Sequence, residues 1–267
     1  MWYILNNFWE NTTVRIVIVM PRNMDEIETK IPVILLHEST APAFFIFNPN
    51  DWGGKSKPII NLCSVNYGLL IYTSKMINDI FEKADVLCSS SFENLRVQWK
   101  KAKWELSQCN YFVDVPHLHL SIHSFLSSVK TFLDVIVQLL SAEGLVSGEV
   151  HGFHKKGNSV GGQILQILKN NTTKINKNKA LSLLDLIIKH KAIWIDNAVN
   201  NRDLLIHPEG FSKIMFALVL SEINGDLNLE KILKPSFNGI AFDKYASDML
   251  SSIEIFSNEF LKCLKNA

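Results

Sequence analysis

The spacing of apolar positions changes near residue 67. Before it, Val14 to Met20, Ile31 to His37, Phe44 to Phe47 and Ile59 to Val65 are short β-branched or aromatic runs. Pro21, Pro42, Pro49 and the Asp51-Trp52-Gly53-Gly54 cluster part them, and this pattern predicts strands. Beyond it the period becomes helical. A helix is expected over roughly 68–88, and stronger ones follow. Phe92, Leu95, Trp99, Ala102, Leu106, Cys109 and Val113 step by three and four, which places all seven on one helical stripe. Leu118, Ile122, Phe125, Val129, Phe132, Ile136 and Leu139 repeat the pattern after Pro116, a residue suited to a helix start.

After the polar NNTTKINKNK linker, a third stripe runs through Leu181, Leu184, Ile188, Ile195 and Ala198. The last helix carries Ala246, Met249, Ile253, Phe256, Phe260 and Cys263. A short helix is expected at about 161–169, and Pro208 should open another bearing Phe211, Met215 and Leu218. Helices with one apolar stripe and short links bury it by packing antiparallel. The expected fold is therefore mainly α, an up-and-down antiparallel helical bundle preceded by a small strand-containing segment. Residues 1–90 would form that α+β segment, whose role the residues do not reveal, and residues 91–267 the bundle. No internal repeat is visible.

Composition agrees with a globular chain. The 267 residues are 47% hydrophobic and 20% charged, with 12 Gly and 8 Pro, far from disordered or collagen-like compositions. With 27 basic and 26 acidic residues the net charge is +1, which excludes a strongly basic nucleic-acid coat and makes any nucleic-acid site local. Only Arg15, Arg22, Arg96 and Arg202 among the basic residues are Arg. Each is a clue, because Lys replaces Arg on a solvated surface but not where a planar fork grips phosphate or carboxylate.

Cys63, Cys88, Cys109 and Cys263 are widely spaced, form no C-x-x-C pair and lie in apolar patterns, so a reducing compartment without a disulfide framework is expected. The opening MWYILNNFWENTTVRIVIVM lacks a basic n-region and a small-residue cleavage site, and no uncharged apolar run approaches the length of a membrane span. A cytoplasmic location is expected, without membrane association.

Several motif echoes carry little chemistry. Gly54-Lys55-Ser56 resembles the end of a phosphate-binding loop, but the first glycine of that pattern would fall at Pro49, and a simple turn is the better reading. Gly157, Gly161 and Gly162 miss the dinucleotide spacing and suit an inter-helix loop. His119 and His123, four apart, share a helix face with His117 nearby, yet no Glu or third ligand stands at metal-protease spacing, so no metal is expected. His151 and His154 lie in a Gly-rich loop. The serines at 89–91 and 124–128 lack a nucleophile-elbow context.

What remains is Asn200-Asn201-Arg202-Asp203-Leu204-Leu205-Ile206-His207-Pro208, at the end of the third stripe. In a continuous helix Arg202 and His207 would point about 140° apart. Pro208 disfavours the helical conformation at His207 and suits the start of a following helix, so the two side chains can converge around a bend. An imidazole at a helix mouth beside a guanidinium makes a phosphate site. A plainer alternative has Arg202 capping carbonyls and His207 as an ordinary helix-start residue.

The segment resembles the signature of the HEPN superfamily (higher eukaryotes and prokaryotes nucleotide-binding domain), an Arg followed by a polar residue and, four to six positions on, a His. Arg202, Asp203 and His207 carry the match, and the resemblance covers roughly residues 92–267. It implies metal-independent RNA cleavage with no cofactor, at a cleft where two bundles dimerise and two motif copies meet. Carried over, Arg202 would hold the scissile phosphate, His207 would act as general acid or base, and Asp203 would orient one of them. The resemblance further implies a homodimer and an RNA partner. An endoribonuclease of the toxin–antitoxin or antiviral-defence type would follow, restrained by an antitoxin or other defence-system protein. The alternative is a catalytically silent HEPN-like module that binds nucleotide or RNA or only dimerises.

Overall fold

The computed structural model describes residues 46–102, 108–146, 150, 152–170, 177–206 and 214–265. The runs at Val14 to Met20 and Ile31 to His37 lie outside these residues. So do most of the inter-helix polar linker and His207 to Lys213.

The described chain is mostly helical, with a small strand component. After a 3-10 turn at Pro49–Asp51, helix α1 spans Ser56–Glu82 and α2 spans Ala84–Ala102; strand β1 (Gln108–Val113) follows, then α3 (Pro116–Ala142). Helices α4 (Gly162–Asn170), α5 (Lys177–His190) and α6 (Asp196–Ile206) come next, with a π-helical segment at Lys191–Ile195 joining the last two. Strands β2 (Phe216–Ile223), β3 (Asp226–Leu233), β4 (Ser236–Phe237) and β5 (Ile240–Ala241) lead into the closing helix α7 (Phe242–Lys265).

Helix α3 is the hub. Pro116 opens it, as its fixed φ and missing N–H allow. Leu118, Ile122, Phe125, Val129, Phe132, Ile136 and Leu139, the whole predicted stripe, are buried. Leu126, Leu133, Val135, Val137 and Leu140 are buried as well, so the apolar surface extends round the helix and needs neighbours on several sides. Helix α1 lies along one side and α6 along another. Phe47 adds an edge-on contact to Phe132 at 5.8 Å and to Tyr67 of α1 at 6.2 Å.

Polar contacts fix the helix directions. Ser56 at the start of α1 donates to Glu143 just past the end of α3, at 2.5 Å, so these helices run antiparallel. Lys265 reaches Asp51 at 3.0 Å while Asn78 meets Ser247, so α7 runs antiparallel to α1. Helix α7 buries Ala246, Met249, Ile253, Phe256 and Phe260 as predicted, with Cys263 partly buried.

The structure corrects several expectations. Ile59 to Val65 is not a strand but part of α1: Ile60, Cys63, Tyr67, Leu70, Ile77 and Phe81 are buried at helical spacing, and a short apolar run does not by itself separate buried strand from buried helix. The Phe44 to Phe47 run is described only at Ile46 and Phe47, which belong to no strand. The stripe predicted over Phe92 to Val113 is split, because α2 ends at Ala102 and Cys109 and Val113 sit in β1, paired with Leu220 and Phe216. Cross-strand pairing there overrides the helical spacing. Met215 and Leu218 likewise belong to no helix: Leu218 lies in β2, the centre of an antiparallel sheet ordered β1-β2-β3. Of the third stripe, Leu184, Ile195 and Ala198 are buried as expected, whereas Ile188 is 50% exposed and Leu183, Ile187 and His190 are buried instead. The expected boundary at residues 90 and 91 falls within α2, and α1 shares one apolar core with α3 and α7.

Two hairpins turn on Asn-Gly pairs. Asn224 and Gly225 have φ of 55° and 78°, and Asn238 and Gly239 have 50° and 81°, the left-handed pairs that tight turns joining antiparallel strands require.

Helix α3 is also long and apolar enough to cross a membrane by length and composition, with a mean hydropathy of 1.4 over its best window, although Lys130 and Asp134 interrupt its apolar run. Its burial within the bundle shows the alternative use of the same composition, the core helix of a folded domain.

Beside the sheet, Arg96 of α2 grips Asp226 with two hydrogen bonds, Nη2 to Oδ2 at 2.7 Å and Nε to Oδ1 at 3.2 Å. The hydrogen bonds from Arg96 hold the Asp226 carboxyl down at about 2, against an ordinary 3.8. A carboxyl depressed on folding stabilises the fold above its ordinary value and loses that contribution as pH falls through the depressed one. Asp226→Asn should therefore lower the melting temperature at pH 5, and the gap to wild type should shrink below about pH 3.8 and close near pH 2. In the core, Phe125→Ala should cost about 3–5 kcal/mol in denaturant titration, since Phe125 is 1% exposed and its neighbours can collapse only partly.

Candidate functional site

Helix α6 carries Arg202 and Asp203. Trp194 and Ile195 of the π-helical segment and Ala198, Val199 and Leu205 of α6 are buried, which directs the intervening polar residues outward. Asn201 is the exception. It is 8% exposed, and its Nδ2 donates to Asn197 Oδ1 at 2.5 Å and to Tyr245 Oη of α7 at 3.2 Å. Tyr245 in turn donates to Asn197 Oδ1 at 3.2 Å. Burial pushes the Tyr245 hydroxyl up to about 12, partly opposed by the hydrogen bond from Asn201, so it stays a neutral donor. This closed triad pins α6 to α7 one residue before Arg202.

Arg202 and Asp203 are adjacent and paired. Arg202 Nη1 donates to Asp203 Oδ1 at 3.1 Å. The other carboxylate oxygen accepts from Lys155 Nζ at 2.6 Å. Burial raises the Asp203 carboxyl, but hydrogen bonds and charge from Lys155 and Arg202 more than offset this, and it sits below its ordinary value. Arg202 Nε is buried and has no hydrogen-bond partner among the described residues. Whether His207 joins the pair lies outside those residues.

Lys155 comes from the connection between α3 and α4, which is held at fixed points. Asp134 of α3 accepts from the Phe153 amide at 2.6 Å and from Lys130, one turn back on its own helix. Gly152 makes this approach possible, since a Cβ there would fall 2.8 Å from Asp134 Oδ1 and 2.8 Å from His154 Nε2. The Phe153 ring is buried against Gly161, whose φ of +64° and open face no other residue could supply: a Cβ would stand 2.3 Å from the ring. Between these anchors, Lys156 and Ser159 exchange backbone hydrogen bonds of 3.0 and 3.2 Å around Gly157, and Lys156 Nζ is held by Gln166 of α4. His154, Lys155 and Lys156 are exposed on this rigid turn.

Sequence reasoning singled out Arg202 and Asp203 and gave the 151–154 segment little weight. It missed Asp134, Lys155 and the Asn197–Tyr245 contact. One signal was available, because an Asp inside the apolar stripe Phe132 to Ile136 demands a buried partner.

The histidines at the start of α3 take another course. His119 is buried and its Nε2 lies 2.8 Å from Asp114 Oδ1; burial lowers its basicity despite the carboxylate. Gly54 adopts φ of +52° in the turn before α1, and Ser56, of the phosphate-loop echo, serves the Glu143 contact instead. Among the described residues no group of three or more His, Cys, Asp or Glu could hold a metal ion.

Comparison with protein-family models, curated proteins and solved structures found no match.

If Asp134 anchors the turn, Asp134→Ala should leave the buried Phe153 N–H unmatched and cost about 1–3 kcal/mol. Hydrogen exchange should show the Phe153 amide losing protection, while Asp134→Asn, which keeps an acceptor, should lose less.

Proposed function

We propose that the chain is a metal-independent RNA endonuclease of the HEPN type, working as a homodimer whose cleft joins two motif copies. The observation that carries this reading is the pairing of Arg202 with Asp203 on α6, with the Arg202 side chain 36% exposed. A guanidinium steered by a carboxylate and partly exposed can turn its outer N–H groups to phosphoryl oxygens.

In the reaction, a ribose 2′-hydroxyl attacks the adjacent phosphorus. The 2′-O–P bond forms and the P–O5′ bond breaks, leaving a cyclic phosphate and a free 5′-hydroxyl. The 2′-hydroxyl proton passes to a general base, and the departing 5′-oxygen takes one from a general acid. His207 fills one of these roles, since an imidazole exchanges protons near neutral pH. Arg202 stabilises charge on the non-bridging oxygens, and Asp203 sets its orientation. Cleavage of cellular RNA makes the protein a toxin or antiviral-defence effector, held in check by an antitoxin or another defence-system protein in the cytoplasm.

The test is cleavage of total RNA in chelator. His207→Ala should lower the rate by about 10²–10⁴-fold at matched folded protein. Arg202→Lys keeps the charge but loses the two-pronged grip, so it should also fall sharply. Equal rates in wild type and His207→Ala would remove the enzymatic reading. Binding without cleavage would then support the silent module, in which Asp203 occupies Arg202 permanently.

A further inference from the structure

Asp203 stands between two cations. One carboxylate oxygen takes Lys155 Nζ at 2.6 Å and the other takes Arg202 Nη1 at 3.1 Å. Among the described residues two positive groups thus share one negative group, in a chain whose charges otherwise nearly cancel. The next lysine, Lys156, is engaged by the neutral Gln166, which removes none of the surplus.

The Lys155–Asp203 pair is not needed to hold the turn. Asp134 on the Phe153 amide and the Phe153 ring on Gly161 already do so. The pair is also 39% and 36% exposed, and exposed ion pairs contribute only about 0–1 kcal/mol. A contact this weak exchanges readily. A carboxylate bridging two cations through its two oxygens occupies the place that the two non-bridging oxygens of a phosphodiester, of equal charge, would take.

We propose that Lys155 is the second phosphate-binding cation of this site and that it exchanges Asp203 for a phosphate of a single-stranded RNA, beside the phosphate held by Arg202. The assignment rests on the reading of Arg202 as a phosphate ligand. Asp203 Oδ1 keeps Arg202 oriented throughout, while Oδ2 releases Lys155 when RNA arrives. The rigid turn presents Lys155 at fixed height above α6, so little ordering accompanies binding.

The experiment uses the full chain and a 2′-O-methyl oligoribonucleotide, which binds but lacks the hydroxyl needed for cleavage. Affinity is measured by fluorescence anisotropy across a salt series for wild type, Lys155→Gln, Lys155→Arg, Asp203→Asn, Arg202→Ala and Lys75→Gln. The last removes one lysine from the exposed side of α1. Loss of one phosphate contact flattens the slope of log affinity against log salt by about 0.7 for a single strand. Lys155→Gln should show that change and weaken binding at low salt about fivefold or more, with Lys155→Arg close to wild type and Lys75→Gln unchanged. Asp203→Asn should bind more tightly, because the amide still accepts from Arg202 but no longer competes for Lys155. If Lys155→Gln matches Lys75→Gln while Arg202→Ala still weakens binding, the Lys155 assignment falls and the reading of Arg202 stands. If Asp203→Asn binds no better than wild type, the exchange is wrong. No binding by wild type overturns both.

Discussion

Burial of α3 on several sides is the constraint from which the rest follows. A helix with apolar residues around most of its circumference cannot rest on one neighbour, so α1, α6 and Phe47 are each required to cover part of it. That arrangement brings α6 alongside α3. It therefore decides where Arg202 and Asp203 stand. The sheet and hairpins sit outside this requirement, which is why α3 can be read as the axis and the strands as additions to it.

The second level of organisation is a chain of polar contacts that begins inside that axis. Asp134 reaches out of α3 to the Phe153 amide, the turn carries Lys155, and Lys155 meets Asp203 beside Arg202. From the other side, Asn201 ties α6 to Tyr245 of α7. The site is thus assembled from three separate stretches of chain, joined by polar contacts that range from the buried Asn201–Tyr245 pair to the exposed Lys155–Asp203 pair. Gly152 and Gly161 contribute by what they lack, leaving room for a carboxylate and a phenyl ring.

How much of this could be read beforehand depended on whether the determinants were local. The stripes of α3 and α7 were legible because a buried helix writes its period directly into its sequence. Residues 59–65 were misread because seven residues of apolar run hold too little periodicity to separate strand from helix. The β2–β3 hairpin was legible in principle. Asn224-Gly225 between alternating apolar residues is a strong local turn signal, and it was passed over in favour of Pro208 and the three-four spacing of Phe211, Met215 and Leu218, of which Leu218 lies in β2. Strand β1 was not legible in this way, since only its partner 100 or so residues later, Leu220 opposite Cys109, makes it a strand. The same distinction holds at the site. Arg202 and Asp203 are neighbours in sequence and stood out together, whereas Lys155 enters through a long-range contact that no spacing announces.

The Lys130–Asp134 pair has a consequence for how the chain is sorted as it is made. Both residues lie near the middle of the 27-residue helix α3, the one helix among the described residues that is long and apolar enough to enter a bilayer. Before its neighbours exist to cover it, a segment of this kind competes for lipid. Lodged across a membrane, each of the two charges would stand close to the midplane, where insertion scales assign about 2.5–3.5 kcal/mol per residue. The carboxylate that anchors the Phe153 turn in the finished protein thus also biases the nascent helix toward its own partners and away from hydrocarbon. Removing the two charges together would make the unfolded chain a better membrane guest while leaving the apolar stripe untouched.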